Sequence, residues 1–203
     1  MKLNEFLTEL SGHSLLRLVG PLATSSFPLD NPIIYVDGGL IHRSQEAHIY
    51  TSLGDGDSSP LKPELLFPSH KDSSDLKLAL DLIPGGIKEV VLHGFLGGRR
   101  DHEWINFGVV HRFLKGRNNS CRVVWETPNI VSVSKGKWPF EFKGTFSLIC
   151  FEDTLLNLQG KVEYEYTEIE KFPALSSRGL SNVSQGEFFV QSEGPFMVLR
   201  LES

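Results

Sequence analysis

Two aspartates two residues apart, Asp55 and Asp57, stand inside the run Gly54-Asp55-Gly56-Asp57-Ser58. Carboxylates at that spacing, with glycine before and between them, can turn toward one point. A hard cation such as magnesium takes oxygen ligands of this kind. Read alone, the run is equally a polar turn, for which Asp, Gly and Ser are the usual residues. It is not an EF-hand loop, because the glutamate required at the last position of such a loop is Leu66 here.

Two further runs bear on phosphate chemistry. Lys71-Asp72-Ser73-Ser74-Asp75 precedes a helical spacing of apolar residues. Free N–H groups and the dipole at a helix start attract an anion, and Lys71 adds a positive charge. The competing reading is plain capping by Asp72, Ser73 or Ser74. Gly94-Phe95-Leu96-Gly97-Gly98-Arg99-Arg100-Asp101-His102 combines glycines, which let backbone approach a ligand, with two arginines, whose forks match phosphate oxygens. Asp101 or His102 can orient a hydroxyl group or act as a base. A solvated surface loop is the alternative. No Walker motif and no dinucleotide-binding glycine fingerprint is present.

The elements that must position these runs follow from hydrophobic periodicity. Leu15–Val19, Ile33–Val36, Glu89–His93 and Cys121–Trp125 read as buried strands. Apolar residues at 76, 79, 80 and 83 predict a helix that Pro84-Gly85-Gly86 stops, and those at 105, 109 and 113 predict another over 101–114. Strands alternating with helices imply a mainly parallel, Rossmann-like α/β sheet, whose ligands bind at the carboxyl ends of the strands. Asp37, the Asp55–Asp57 pair and the Gly97–His102 run all fall at such ends. After about Pro128 the text changes to short β-runs punctuated by Gly, Pro and Asn: 130–133, 140–142, 146–151, 162–166, 186–190 and 196–201. These predict a β-sandwich. The expected division is therefore an α/β domain over 1–128 and a β-sandwich domain over 129–203.

Composition narrows the function classes. The chain has 203 residues, 22% of them charged, with a net charge of −5. That balance gives no general attraction to nucleic acid or to anionic membranes, so any phosphate must be held by a few placed cations and a metal. Met1–Gly12 lacks the apolar core of an export signal, and no run approaches a membrane span, which predicts a cytoplasmic protein. Cys121 and Cys150 fit no Cys-x-x-Cys pattern, and Cys150 reads as a buried free thiol. His42, His48, His70, His93 and His111 have no metal-ligand spacing and read as structural or surface residues. Trp104 and Trp125 read as core, and Trp138 is open.

Taken together and in order, the motifs resemble those of the thiamine pyrophosphokinase family. Asp37-Gly38-Gly39 follows an early strand. Gly54–Ser58 matches Gly-Asp-x-Asp-Ser, and Lys71–Asp75 matches Lys-Asp-x-Thr-Asp with Ser74 in the threonine place. Gly97–His102 with Asn106 matches Gly-Gly-Arg-x-Asp-His and its following asparagine, and late Ser147-Leu148 and Ser181-Asn182 pairs complete the set. The resemblance covers about 33–190. It departs at Gly56, where the family is usually bulky, and at Arg100, where it is often apolar. The segments before Asp37 and between Asp37 and Asp55 are short for the family, and the Gly-Leu-Lys-aromatic segment near its thiamine pocket is only echoed by Gly160–Tyr164.

The resemblance implies transfer of pyrophosphate from ATP to the thiamine hydroxyl, giving thiamine diphosphate and AMP. It implies Mg2+ on Asp55, Asp57 and Asp75, and catalytic roles for Asp57, Asp75, Arg99 and Asp101. ATP contacts fall to Asp37, Ser58, Lys71, Asp72, Arg99, Arg100, His102 and Asn106. Thiamine contacts fall to Asp101, Ser181 and Asn182. It further implies a homodimer in which thiamine lies between one subunit's α/β domain and the other's sandwich. Two other readings fit the same residues: a pyrophosphokinase for another alcohol such as a hydroxymethylpterin, and a non-catalytic nucleotide- or thiamine-binding module.

Overall fold

The computed structural model describes residues 1–24 and 27–201, without the side chains of Thr127 and Pro128. The chain divides into two compact units: Met1–Phe113 with Val123–Glu126, and Leu114–Arg122 with Thr127–Ser203. The architecture is a Rossmann-like α/β unit followed by a β-sandwich.

The first unit holds α1 (Leu3–Leu10), β1 (Leu15–Val19), β2 (Ile33–Val36), β3 (Tyr50–Gly54), β4 (Leu65–Leu66), α2 (Asp75–Asp81), β5 (Glu89–His93), most of α3 (Arg100–Lys115) and β6 (Arg122–Trp125). Its strand order is β6-β5-β1-β2-β3-β4, and the β5–β1–β2–β3–β4 pairings are all parallel. The chain builds outward from β1 through β4, then returns to the other side of β1 with β5. The β1/β5 junction is thus the switch point of the sheet, where a crevice opens at the carboxyl ends of the strands.

The strands form where continuous β-branched and aliphatic runs can be buried on both faces, as all four residues of β2 are. α2 buries Leu76, Ala79 and Leu80 at the expected helical spacing, and of the three candidate caps Ser74 is the one that accepts the Lys77 N–H, at 3.3 Å. Two places depart from a regular alternation of strand and helix. The connections 20–32 and 37–49 contain no α-helix among the described residues, only a 3-10 segment over Asp37–His42. Apolar residues of these loops, Ala23, Phe27, Leu29, Leu40 and Ala47, cover that face of β1 and β2 instead. In α3 the predicted apolar face holds at Val109, but Ile105 is 59% exposed, and Trp104, expected in the core, is 66% exposed. The first turn of α3 follows directly on the glycine loop. Trp125 is fully buried and packs against Phe107, ring centroids 4.7 Å apart.

The second unit is wholly antiparallel: β7 (Thr127–Val133), β8 (Gly136–Ile149), β9 (Thr154–Val162), β10 (Tyr166–Phe172), β11 (Asn182–Ser192) and β12 (Phe196–Arg200), in the order β10-β9-β11-β8-β12-β7. The two runs expected over 140–142 and 146–151 are one strand, β8. Gly144 carries it through at φ 124, a backbone shape open to glycine. The run expected over 162–166 straddles the β9–β10 turn. Phe146, Leu158, Phe188, Val190 and Phe196 form the core, with Phe188 stacked 4.8 Å from Phe146. Cys121 and Cys150 are buried free thiols, and Trp138 donates its indole N–H to the Ser134 carbonyl at 2.7 Å. No helix among the described residues is long and apolar enough to cross a membrane.

Candidate active site

The site grows from three strand ends of the first unit. β2 ends at Val36, and Asp37 follows in the left-handed region at φ 51, a conformation uncommon outside glycine but one that aspartate tolerates better than most residues. β3 ends at Gly54, whose missing side chain is required there: a Cβ would lie 2.9 Å from the Asp37 Cα. That close approach brings Asp37, Asp55 and Asp57 together, with one carboxylate oxygen from each lying within 4.8 Å of the other two. The Asp55 carboxylate accepts the Asp57 N–H at 3.2 Å, and Asp57 accepts the Ser58 hydroxyl at 2.8 Å. These bonds hold the local turn.

Lys71 answers part of this negative charge. Its Nζ lies 3.6 Å from Asp55 and 3.2 Å from Asp75. Burial alone would lower the Lys71 pKa, but the hydrogen bond and charge of Asp75, with Asp55, outweigh it and raise it. The Asp57 N–H is the main cause holding the Asp55 carboxyl below its ordinary range, with Lys71 adding to it. Asp75 goes the other way: burial raises it despite Lys71, and the charges of Asp37 and Asp55 push in the same direction. The Asp37 Oδ1 atom is buried without a hydrogen-bond partner among the described residues. Three converging carboxylates, one with a buried orphan oxygen, fit a hard divalent cation, which supplies the missing partner and relieves the repulsion.

The metal set expected from the motifs was Asp55, Asp57 and Asp75. The structure places Asp37 with the first two and pairs Asp75 with Lys71. Asp72 is exposed at the approach to α2.

A cleft of about 470 Å³ opens beside this cluster at the β1/β5 switch point. Asp37, Asp75, Gly97, Arg99, His102 and Asn106 line it, as do Pro21, Leu22 and Phe95. Arg99 and Asp101 are bonded to each other through Arg99 Nη2 at 2.5 Å and Nε at 3.2 Å. The Arg99 hydrogen bond is the chief cause that pulls the exposed Asp101 carboxyl down to about 2. Arg100 begins α3 and is exposed. Asn106 donates its amide N–H to the Phe95 carbonyl at 3.0 Å, so it anchors the glycine loop to α3. The Pro21–Leu22 wall and Phe95 were not singled out from the sequence. The strand-ending Gly20-Pro21 turn was the one signal that could have found the wall.

Ser181 and Asn182 lie in the second unit. Ser181, at φ 57, lines an open groove with Glu163, Tyr164, Glu165, Tyr166 and Arg178. The buried Asn182 amide is occupied within the chain: it donates to the Tyr164 carbonyl at 2.7 Å and accepts the Tyr164 and Val183 N–H groups. It thereby shapes the turn that carries the groove.

His93, beneath the cleft at the end of β5, is a structural histidine with a pH consequence. Burial, aided by Arg17 at 3.5 Å, lowers its pKa from 6.5 to about 4. The folded state therefore binds fewer protons than the unfolded chain between these values. This contribution to stability is complete above 6.5 and is lost as pH falls through about 4. Screening at a half-buried position leaves an effect on the order of 1–2 kcal/mol. In urea melts, His93→Asn is expected to lose less stability than wild type between pH 7 and pH 4. Equal losses in the two proteins would contradict this assignment.

Comparison with solved structures finds the same fold in thiamine pyrophosphokinases. The thiamin pyrophosphokinase of Geobacillus thermodenitrificans matches with a TM-score of 0.68, covering 93% of this chain and 98% of that one at 22% identity. The thiamine pyrophosphokinase of Bacillus subtilis matches at 0.66, with 93% and 99% covered and 19% identity. That of Candida albicans matches at 0.68, with 96% and 91% covered and 14% identity. No protein-family model and no curated protein matches the sequence.

Proposed function

We propose that the protein is a thiamine pyrophosphokinase, which transfers the terminal pyrophosphate of ATP to the hydroxyl of thiamine and releases AMP. The observation that carries this reading is the convergence of Asp37, Asp55 and Asp57 at the strand ends of a fold shared with thiamine pyrophosphokinases. The first unit is the nucleotide and metal domain, and the second carries the acceptor groove.

Attack by an alcohol on a phosphorus atom asks little covalent help of a protein; it needs alignment and relief of negative charge. Asp37, Asp55 and Asp57 hold Mg2+, and Asp75 is the fourth carboxylate of the site. Bound Mg2+ neutralises part of the phosphate charge. Lys71 and Arg99 bind phosphate oxygens, with Ser58, Asp72, Arg100 and His102 around them. Asn106 acts through the glycine loop it anchors. While Arg99 is bonded to it, the Asp101 carboxylate is held in its charged, weakly basic form. When Arg99 turns to phosphate, Asp101 is released to orient the alcohol or assist removal of its proton. Ser181 contacts the acceptor, and Asn182 holds the wall of that groove. A homodimer that shares the site, and a cytoplasmic setting, complete the proposal. The exposed Trp104 and Ile105 on α3 are consistent with a subunit contact.

Incubation with ATP, Mg2+ and thiamine tests the reading, with AMP and thiamine diphosphate as the expected products. AMP formed with a hydroxymethylpterin but not with thiamine would reassign the acceptor. ATP binding without AMP from either alcohol would make the protein a binding module.

A further inference from the structure

The glycine loop of the cleft has to start in one orientation, and a residue outside every motif holds it there. Glu126 follows β6 and sits in the left-handed region at φ 47, an uncommon conformation for a residue with a side chain. Its own N–H donates to the Leu92 carbonyl of β5 at 2.7 Å. Its carboxylate Oε1 accepts the N–H of Gly94, the first residue after β5. The rest of that peptide neighbourhood is tied to the opposite wall of the cleft. The Leu22 N–H donates to the Gly94 carbonyl at 3.3 Å, and the Gly20 N–H donates to the His93 carbonyl at 2.7 Å. Gly94 itself stands at φ 75 with Ala23 packed against it, and a Cβ there would lie 2.0 Å from the Ala23 nitrogen.

We infer that Glu126 is a positioning residue for the nucleotide loop: its carboxylate clamps the Gly94 N–H and so aims Phe95–Arg99 into the cleft. The inference rests on the nucleotide reading of that cleft. A strand end leaves the next N–H without a ladder partner, and a carboxylate is a strong acceptor for it. The exposed Glu126 keeps its unusual backbone shape while both its N–H and its carboxylate are spent on the end of β5. The clamp also assigns the Gly94 N–H to protein, which leaves phosphate to the donors further along the loop.

Two roles are separable by substitution. If Glu126 serves only to make a left-handed turn, glycine should do as well. If the carboxylate is the clamp, glycine removes it while relaxing the backbone. For Glu126→Gly the unfolding midpoint is expected to hold or rise. Affinity for MgATP, read by calorimetry, is expected to fall about tenfold or more, the size of effect set by one lost charge-assisted hydrogen bond. Amide exchange over 95–98 is expected to quicken. Glu126→Gln, which keeps an acceptor at the same reach, should return both readouts close to wild type. Glu126→Asn, which tolerates the left-handed region but is one carbon short, should behave like the glycine variant and serves if that variant folds poorly. Wild-type MgATP affinity and unchanged exchange in Glu126→Gly or Glu126→Asn would overturn the clamp. Failure of the wild-type protein to bind MgATP would instead overturn the nucleotide reading, and the exchange measurement would still decide the clamp.

Discussion

Asp57→Asn is expected to lower pyrophosphate transfer by about 10³-fold or more, roughly 4 kcal/mol of transition-state stabilisation, while the unfolding midpoint stays level or rises slightly. Asparagine matches aspartate in size and can still accept the Ser58 hydroxyl, so the turn survives. Only the charge is lost. With three carboxylate oxygens within 4.8 Å of one another, removing one charge relieves repulsion in the metal-free protein. The same substitution should abolish the rise in melting temperature that wild type shows on adding Mg2+, a readout that needs no turnover. Asp37→Asn should act similarly, because asparagine also tolerates the left-handed backbone at that position. Activity within a few-fold of wild type in both variants would remove the carboxylate cluster from the chemistry.

Gly94→Ala is expected to destabilise the protein by about 3 kcal/mol or more, against about 1 kcal/mol for Gly97→Ala. The two glycines have nearly the same backbone, φ 75 and φ 81, and lie on the same loop. They differ in surroundings. A Cβ on Gly94 would run into the Ala23 backbone nitrogen at 2.0 Å, whereas a Cβ on Gly97 meets nothing within 4 Å. The alanine at 94 therefore adds a collision between two backbone segments to the conformational cost they share. Neither segment can yield without breaking the Leu22–Gly94 hydrogen bond. Chemical denaturation of the two variants side by side checks this, and equal stability would show that the 20–23 wall is free to move.

Much of this site could be read before folding, because its chemistry is local. Asp55 and Asp57 share one turn, Lys71 and Asp75 both lie in the short run that opens a helix, and Arg99 and Asp101 flank a helix start. For such groups, residue type and spacing already bring the charged side chains into one neighbourhood. The strands were legible for a related reason: β2 is buried throughout and reads as an unbroken apolar run, and β1 and β5 are largely buried and apolar apart from Arg17, Glu89 and His93. The sandwich strands were harder. A half-exposed strand carries a weaker signal, and Gly144, which looks like a break, is a residue through which β8 continues.

Contacts between distant segments were hidden. Asp37 enters the carboxylate cluster because β2 and β3 lie side by side and Gly54 lets their ends close up. Trp104 reads as core by residue type, yet it is exposed. Glu126 carries no motif at all: its role exists only because β6 ends next to the N–H that β5 leaves unpaired.

By itself, then, the sequence determined the carboxylates, the cations and the glycines that admit them, since these follow from side-chain chemistry over a few residues. The tertiary structure alone decided which three carboxylates converge, where the cleft opens and what holds its loop. Those depend on strand order and on the closeness of backbones far apart in the chain, and no short window of residues contains either.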